Sequence, residues 1–344
     1  MRILFCGLGG IGQRHLRNLH ALLGDQLEVH AYRVRGNRQR LADNLTVASE
    51  ADLEAHYRIV THANLSDALG VEPLAVFVCN PSSLHTPIAL AAARAGAHIF
   101  IEKPVSDSLE NLDELLSAVE AKNLVCYVGY NFRFHPGLCH LKEWIDARRF
   151  GNILTVSLEI GEYLPNWHKY EDYRQMYAAR AELGGGVILS QIHEMDLIYW
   201  FFGMPRTIYC RGGKLSDLDI NVEDTAASLM QYSGPHGQFP IALHQDFLQR
   251  PPVRTLKVVG DRGTGEIDLI QNSLKSYEQQ TDKIDVTQFA EFKRNDMFLH
   301  QTAHFLQCIT SKTAPKVDLR AGMQSLRLAL AARQSLAKGV EIQV

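Results

Sequence analysis

The chain has 344 residues, of which 46% are hydrophobic and 21% charged, and its 35 basic and 38 acidic residues leave a formal net charge of -3. This length favours two domains, and the composition is typical of globular proteins. The balance of charge argues against nucleic acid as the main partner, and no apolar run is long enough to cross a membrane.

The first part of the chain predicts a parallel sheet. Short apolar runs at 3–6, 29–32, 75–79, 99–101 and 125–128 have the character of strands, and residues 88–95 and 109–121 have helical spacing. Strands that alternate with helices form right-handed βαβ units. We therefore predict an α/β Rossmann domain, a doubly wound parallel sheet, over residues 1–130.

The pattern changes in the second part of the chain. Alternating segments at 154–159, 225–232, 241–247 and 255–259 predict strands, and residues 187–202, 296–310 and 321–337 predict helices. This indicates an α+β domain over residues 131–344 with a large, mostly antiparallel open sheet. We expect Leu256 and Val258 on the uncovered face of that sheet, where they would join a homodimer or homotetramer.

The cysteines indicate a reducing compartment. They are widely scattered and never form a CxxC pair, which suits free buried thiols rather than disulfides or zinc. The six are Cys6, Cys79, Cys126, Cys139, Cys210 and Cys308. Because the N-terminus runs directly into a strand without the pattern of a signal peptide, we predict a cytoplasmic protein.

A glycine motif follows the first predicted strand. It reads Gly7-Leu8-Gly9-Gly10-Ile11-Gly12 and precedes a helical segment, which is the context of a dinucleotide-binding turn. We predict that Gly7, Gly9, Gly10, Ile11 and Gly12 bind the cofactor, with the pyrophosphate at the helix N-terminus. A glycine-rich turn that binds nothing is the alternative.

The end of the second strand predicts which nicotinamide cofactor is used. An NAD-specific fold usually has a carboxylate there, whereas this chain offers Arg33 and Arg35. A guanidinium can bind a 2′-phosphate through two hydrogen bonds. We therefore expect NADP(H) to be preferred and NAD(H) to be possible, the alternative being two solvated arginines.

Further motifs carry a resemblance to a known family. Asn80-Pro81-Ser82-Ser83-Leu84-His85, Glu102-Lys103-Pro104, the run 128–136 and Gly184-Gly185-Gly186 follow the glycine motif in order. Over nearly its whole length the chain resembles the glucose–fructose oxidoreductase, inositol dehydrogenase and rhizopine catabolism family.

The resemblance implies several site residues. It makes Lys103 catalytic, places Glu102 by the nicotinamide ribose, gives a cis bond before Pro104, and adds Asn80, Pro81 and His85 to the cofactor site. Independently, an ammonium such as that of Lys103 can polarise a carbonyl or share the proton of a hydroxyl group. A surface lysine after a strand is the alternative.

A second group of candidate residues lies in the helix predicted at 187–202. Ser190 and His193 share one face of that helix, so His193 can point towards the substrate beside Lys103. The resemblance implies an acid–base histidine here, usually preceded one turn earlier by an aspartate, where this chain has Ser190. The alternatives are a core histidine hydrogen-bonded by Asp196 and a zinc site, for which further ligands are lacking. We predict no metal.

Other polar and aromatic residues are candidates for binding the substrate. Asn131, Arg133 and His135 alternate along a predicted extended segment, and would line one face of the cleft. Tyr163 and Trp167 belong to an aromatic stretch that also contains His168, Tyr170 and Tyr173, and such residues suit a sugar-binding mouth. A packed loop explains that stretch equally well.

These expectations define two functions. The first is an NAD(P)-dependent oxidoreductase that transfers a hydride between nicotinamide and a C–OH or C=O carbon of a sugar, sugar derivative, nucleotide sugar or polyol. The second is a non-catalytic NAD(P)-binding sensor or regulator on the same fold. Lys103 and His193 favour the enzyme, and Ser190 slightly favours the sensor.

Overall fold

The computed structural model describes residues 1–33, 39–42, 46–48 and 52–344. Its first sheet has six parallel strands in the order β3-β2-β1-β4-β5-β6. They are β1 (Arg2–Cys6), β2 (Glu28–Tyr32), β3 (Val60–His62), β4 (Ala75–Val78), β5 (His98–Ile101) and β6 (Cys126–Val128). The strand order reverses between β1 and β4, which is where ligands bind such sheets.

Helices cover the first sheet. They are α1 (Gly10–Leu23), α2 (Leu53–Tyr57), α3 (Leu65–Gly70), α4 (His85–Ala95) and α5 (Leu112–Ala121). All four residues of β4 are fully buried, as expected for a parallel strand covered on both faces. The short edge strand β3 was not predicted, because its residues are exposed or half-buried and lack an apolar run.

The second sheet has nine strands. They are β7 (Ile153–Gly161), β8 (Thr207–Gly213), β9 (Thr225–Gly234), β10 (Gly237–Asp246), β11 (Val253–Gly260), β12 (Gly263–Asp268), β13 (Ser273–Glu278), β14 (Lys283–Gln288) and β15 (Ile342–Gln343). Their order is β14-β13-β12-β11-β7-β10-β9-β8-β15, and every pair is antiparallel except β7 with β10. The predicted fold class is confirmed.

The second part of the chain also supplies α6 (Pro136–Asp146), α7 (Val187–Ser190), α8 (His193–Phe202), α9 (Arg294–Ser311) and α10 (Leu319–Lys338). The single helix predicted at 187–202 was wrong, because it is interrupted at Gln191, where ψ is 36°. The Gln191 side chain donates to the backbone carbonyl of Asp246 at 2.8 Å, and the backbone carbonyl of Gln191 accepts from the Gln245 side chain at 3.0 Å. These contacts hold the break between Ser190 and His193.

Helix α9 returns to the first sheet. The ring of Phe305 lies 5.6 Å from both Phe77 and Phe100, and Val128 N donates to Val317 O at 3.0 Å just before α10. The two parts of the chain therefore share packing around α9. The domain limits of 1–130 and 131–344 stay a prediction.

The outer face of the second sheet differs from our expectation. Leu256 and Val258 are 1% and 0% exposed, so they face the helices and not the solvent. The strand alternates, and it is the neighbour Lys257 that points outwards. On β9 the outward side chains include Leu229, which is 55% exposed. Among the described residues, no helix combines the length and apolar character needed to cross a membrane.

Candidate functional site

The glycine turn between β1 and α1 has the geometry of a dinucleotide-binding loop. Gly7 has a φ of +100°, and a Cβ there would lie 2.6 Å from the Cys79 carbonyl carbon. A Cβ on Gly12 would lie 2.2 Å from Gly7 O, whereas a Cβ on Gly9 would meet nothing within 4 Å. Two glycines thus permit close packing and the third leaves open space before the α1 N-terminus, which fits a pyrophosphate.

The end of β2 carries an ion pair that the sequence did not reveal. Arg33 Nη1 lies 2.7 Å from Glu54 Oε1, and the two side chains are only 9% and 18% exposed. Glu54 comes from α2, so a carboxylate stands near this strand end although none follows it in sequence. It partly compensates the charge of Arg33. Arg35 lies outside the described residues.

The turn after β4 contains one residue that is available to a ligand and one that is not. Neither the Oδ1 nor the Nδ2 of Asn80, next to Pro81, has a hydrogen-bond partner in the described structure, although both atoms are buried. His85 is 1% exposed, and its ring nitrogens lie 2.7 and 2.8 Å from the carbonyls of Asn80 and Pro104. Burial lowers the pKa of His85, and the carbonyls only partly offset this. His85 therefore bridges the carbonyls of Asn80 and Pro104, and its predicted contact with the cofactor stays a prediction.

Glu102 and Lys103 follow β5 at the same edge of the sheet. Glu102 is 6% exposed; its Oε1 lies 2.6 Å from His15 Nε2, and its Oε2 accepts from Lys103 N at 3.2 Å. The Lys103-Pro104 bond is cis, as the resemblance implied. The Lys103 ammonium donates to the Ser190 carbonyl at 2.9 Å, which brings it to the break between α7 and α8.

His193 begins α8 on the other side of that break. Its Nδ1 is buried, and no partner for it exists in the part of the chain that the structure describes. Its ring lies 4.7 Å from that of Phe132. Burial holds the pKa of His193 well below its ordinary value, and the charge of Lys103 lowers it further. His193 is therefore a neutral imidazole. The hydroxyl of Ser190, three residues earlier in the chain, is also buried without a partner among the described residues.

Arg133 takes part in a buried ion pair. Residues Asn131–Phe134 form a 3-10 turn instead of the predicted extended segment. Arg133 is 7% exposed and donates to both carboxylate oxygens of Asp196 at 3.0 and 2.7 Å, and Ser325 donates to the same carboxylate at 2.9 Å. Asp196 therefore binds Arg133 and not His193. The alternative of a core histidine held by Asp196 is not found among the described residues, and the substrate contact of Arg133 stays a prediction, although its guanidinium is engaged by Asp196.

The remaining polar residues of this turn also have partners. Asn131 is 3% exposed and its Nδ2 donates to Met297 Sδ at 3.9 Å, which places it against the first turn of α9. His135 Nδ1 caps α6 by accepting from the backbone of Gly137 at 3.1 Å. Burial lowers the pKa of His135 to about 4, which suits this acceptor role.

The aromatic stretch lies between the two parts of the chain. Tyr163 is covered by the Arg250 guanidinium at 3.9 Å, and Trp167 packs edge-on to Phe247 at 5.3 Å. Farther along, the backbone of Gly10 lies close enough to the Tyr170 hydroxyl to oppose the rise in its pKa, which is caused mainly by burial. The stretch therefore reaches the glycine turn, a contact that its sequence does not predict.

Sequence reasoning also missed His15 and Arg254. His15 lies three residues after Gly12 on the buried face of α1, so its spacing was a usable signal. Arg254, on β11, donates to both oxygens of Glu194 at 2.7 and 3.0 Å. Burial raises the pKa of Glu194, and Arg254 opposes that shift. No local pattern in the sequence connects residues 194 and 254.

Comparison with known families identifies the chain. Residues 1–130 match the GFO_IDH_MocA model, described as an oxidoreductase family with an NAD-binding Rossmann fold. Residues 142–344 match the model of the C-terminal alpha/beta domain of the same oxidoreductase family. The chain belongs to this family. The predicted resemblance is confirmed, and so is the prediction of an oxidoreductase with a nicotinamide-binding Rossmann domain.

Individual relatives of the GFO_IDH_MocA family align over the whole chain. Myo-inositol 2-dehydrogenase of Thermotoga maritima is 24% identical over 98% of this chain and 96% of its own. The WlbA dehydrogenase of Bordetella pertussis, in complex with NADH and UDP-GlcNAcA, has a TM-score of 0.80 at 24% identity and covers 100% and 98% of the two chains. A levoglucosan dehydrogenase in complex with NADH and levoglucosan has a TM-score of 0.82 at 15% identity, over 100% and 99%.

Proposed function

We propose that the protein transfers a hydride between nicotinamide and a C–OH or C=O carbon of a sugar, sugar derivative, nucleotide sugar or polyol. One observation carries this proposal: the Lys103 ammonium donates to the carbonyl of Ser190, three residues before His193, whose buried Nδ1 has no partner among the described residues. The glycine turn lies at the same edge of the first sheet, since β1 and β5 are parallel. A donor and a neutral base beside a nicotinamide site are what alcohol oxidation requires, so they favour the enzyme over the sensor.

The cofactor supplies the hydride acceptor or donor when it is bound. During oxidation of an alcohol, a proton must leave the hydroxyl as the hydride leaves carbon. Neutral His193 accepts that proton at Nδ1, and Lys103 holds the oxygen through its ammonium. In the reverse direction the same groups return the proton to the carbonyl oxygen. The Ser190 hydroxyl, which has no partner in the described structure, binds a neighbouring substrate hydroxyl.

The cofactor is held by residues at the carboxyl edge of the first sheet. Gly7, Gly9, Gly10, Ile11 and Gly12 would hold the pyrophosphate, and Asn80, Pro81 and Glu102 would bind the nicotinamide end. The amide of Asn80, which has no hydrogen-bond partner among the described residues, supports this arrangement.

We also propose that the protein prefers NADP(H) as its cofactor and accepts NAD(H) as well. Arg33 and Arg35 would bind the 2′-phosphate, and the Arg33–Glu54 ion pair makes the expected preference modest, about tenfold. Calorimetry with both cofactors on wild type and Arg33→Ala tests it. Equal affinities in wild type would remove the proposed role of the arginines.

The substrate side is formed by Asn131, Ser190, Tyr163 and Trp167. Trp167 Nε1 is buried without a partner in the described structure, which supports a ligand contact. The WlbA complex contains UDP-GlcNAcA, and the levoglucosan dehydrogenase complex contains levoglucosan. By analogy, we propose that this chain also acts on a carbohydrate.

We further propose a cytoplasmic homodimer or homotetramer that pairs through the outer face of the second sheet. The exposed Leu229 on that face supports the interface.

The test of the reaction is turnover of NAD(H) and NADP(H) against a panel of sugars, sugar acids, nucleotide sugars and polyols. Absorbance at the wavelength of the reduced nicotinamide reports hydride transfer directly. We expect turnover of at least one carbohydrate that is lost when the glycine turn is changed by Gly9→Asp. The absence of turnover across the panel, with cofactor binding retained, would favour the sensor.

A further inference from the structure

Three cationic side chains surround the histidine of the site. Lys103 approaches from the first sheet, and Arg254 approaches from β11 of the second. The Arg254 guanidinium carbon lies 4.2 Å above the Phe132 ring, whose centre is 4.7 Å from that of His193. The Nε and Nη2 of Arg254 donate hydrogen bonds to Glu194, and its Nη1 has no hydrogen-bond partner among the described residues. One edge of this guanidinium is therefore still available.

Arg294 is the third cation and the first residue of α9. The first turn of this helix is fixed against the site, because Met297 Sδ accepts from Asn131 and Asn295 Oδ1 accepts from Arg14 at 3.1 Å. Arg294 is exposed as a whole residue, although the surrounding protein partly desolvates its guanidinium, and across residues 1–33, 39–42, 46–48 and 52–344 its side chain makes no hydrogen bond or ion pair. All its donors are therefore open to a ligand.

Several charged groups lie around His193. Burial lowers the pKa of His193 most, and the charges of Lys103, Arg254 and Arg294 lower it further. Burial also lowers the pKa of Arg294; Glu162 opposes that shift and Arg254 adds to it. Of the nearby carboxylates, Glu194 binds Arg254 and Glu102 is hydrogen-bonded by His15 and by Lys103 N. An anionic ligand would therefore give Arg294 a partner of its own.

We propose that the substrate carries an anionic group, a carboxylate or a phosphate, that is bound by Arg294 with help from the open Nη1 of Arg254. This inference rests on the proposed function, because it names the substrate class of the same site. A guanidinium offers a planar fork of donors that matches the oxygens of either group. Arg294 thereby selects acidic carbohydrates or phosphorylated ones over neutral analogues.

The test uses malonate and inorganic phosphate as probes on protein saturated with NADH, titrated calorimetrically at constant ionic strength. Wild type should bind at least one of them, and the one that binds more tightly identifies the group. Arg294→Gln should weaken that binding by about tenfold or more, and Arg294→Lys should retain most of it. Malonamide, the neutral analogue of malonate, should not bind.

Three results would overturn the inference: no binding of either anion, equal binding by wild type and Arg294→Gln, or a loss of NADH affinity in Arg294→Gln. The last would assign Arg294 to the cofactor phosphates. The readout needs no turnover, so it is separate from the reaction itself. If anions bind in a way that depends on Arg294 but no carbohydrate is turned over, the proposed function is refuted and the inference is not. If a carbohydrate is turned over but neither anion binds, the inference is refuted and the proposed function is not.

Discussion

The hydrogen bond between His15 and Glu102 provides a quantitative test of how the nicotinamide end of the site is built. The His15 side chain is fully buried and lies 2.6 Å from Glu102 Oε1. His15→Leu removes the donor and keeps a similar volume beside Phe100, whose ring centre is 4.7 Å away. Glu102, itself 6% exposed, would keep only the backbone bond from Lys103 at 3.2 Å.

The expected magnitude follows from leaving a buried acceptor short of a partner, which costs about 1–3 kcal/mol. We expect the free energy of unfolding, from urea denaturation, to fall by that amount. Because the proposed contact with the cofactor requires Glu102 to be held in place, the Kd for NADH should rise by about tenfold or more. His15→Gln restores an N–H near the position of Nε2 and should recover most of both quantities.

Two results would refute this reasoning. If His15→Leu binds NADH as wild type does, then Glu102 does not depend on His15 for its position. If His15→Gln loses as much affinity as His15→Leu, then the shape of the ring is what matters, and not its hydrogen bond. Measuring stability together with affinity separates these cases, because a purely structural role would lower stability alone.

Three further predictions concern other parts of the molecule. Arg133→Met leaves the buried Asp196 carboxylate uncompensated and should cost about 3–5 kcal/mol of unfolding free energy in urea, and an unchanged midpoint would contradict the buried ion pair. Leu229→Asp should dissociate the oligomer to a 38.6 kDa species in sedimentation, whereas a monomeric wild type would contradict the proposed interface. Because the pKa of His193 is lowered in the folded protein, the imidazole stays neutral as the pH falls. The kcat/KM for oxidation should therefore remain constant below about pH 6.5, the ordinary pKa of histidine, and a fall in kcat/KM at that pH would contradict the burial of His193.

The sequence predicted those parts of the site that depend on local pattern. The glycine turn follows from residue types at short spacing, whereas Lys103 and His193 were singled out mainly through the resemblance to a known family. Leu256 and Val258 were assigned to the wrong sheet face, because alternation shows that two faces exist and not which one the helices cover.

The remaining contacts depend on pairs that are distant in sequence. Arg133 was predicted to face the substrate, and its partner Asp196 lies 63 residues away. The break in the 187–202 helix is held by Gln245, which no helical pattern around residue 191 can reveal. The Arg33–Glu54 pair is a further contact between residues distant in sequence. The end of β2 has no carboxylate of its own, and Glu54 of α2 brings one close to it. Tertiary contacts override local preference at each of these places.

The central claim is that Lys103 acts on the oxygen of the substrate, and Lys103→Met tests it most directly. The substitution keeps the length of the side chain and removes the ammonium that donates to Ser190. With the substrate found by the turnover panel, kcat should fall by about 10²- to 10⁴-fold while the Kd for NADH stays within about threefold of wild type. The exposed Lys122→Met serves as the matched control and should keep full activity. Turnover by Lys103→Met above about a tenth of the wild-type rate would contradict the account.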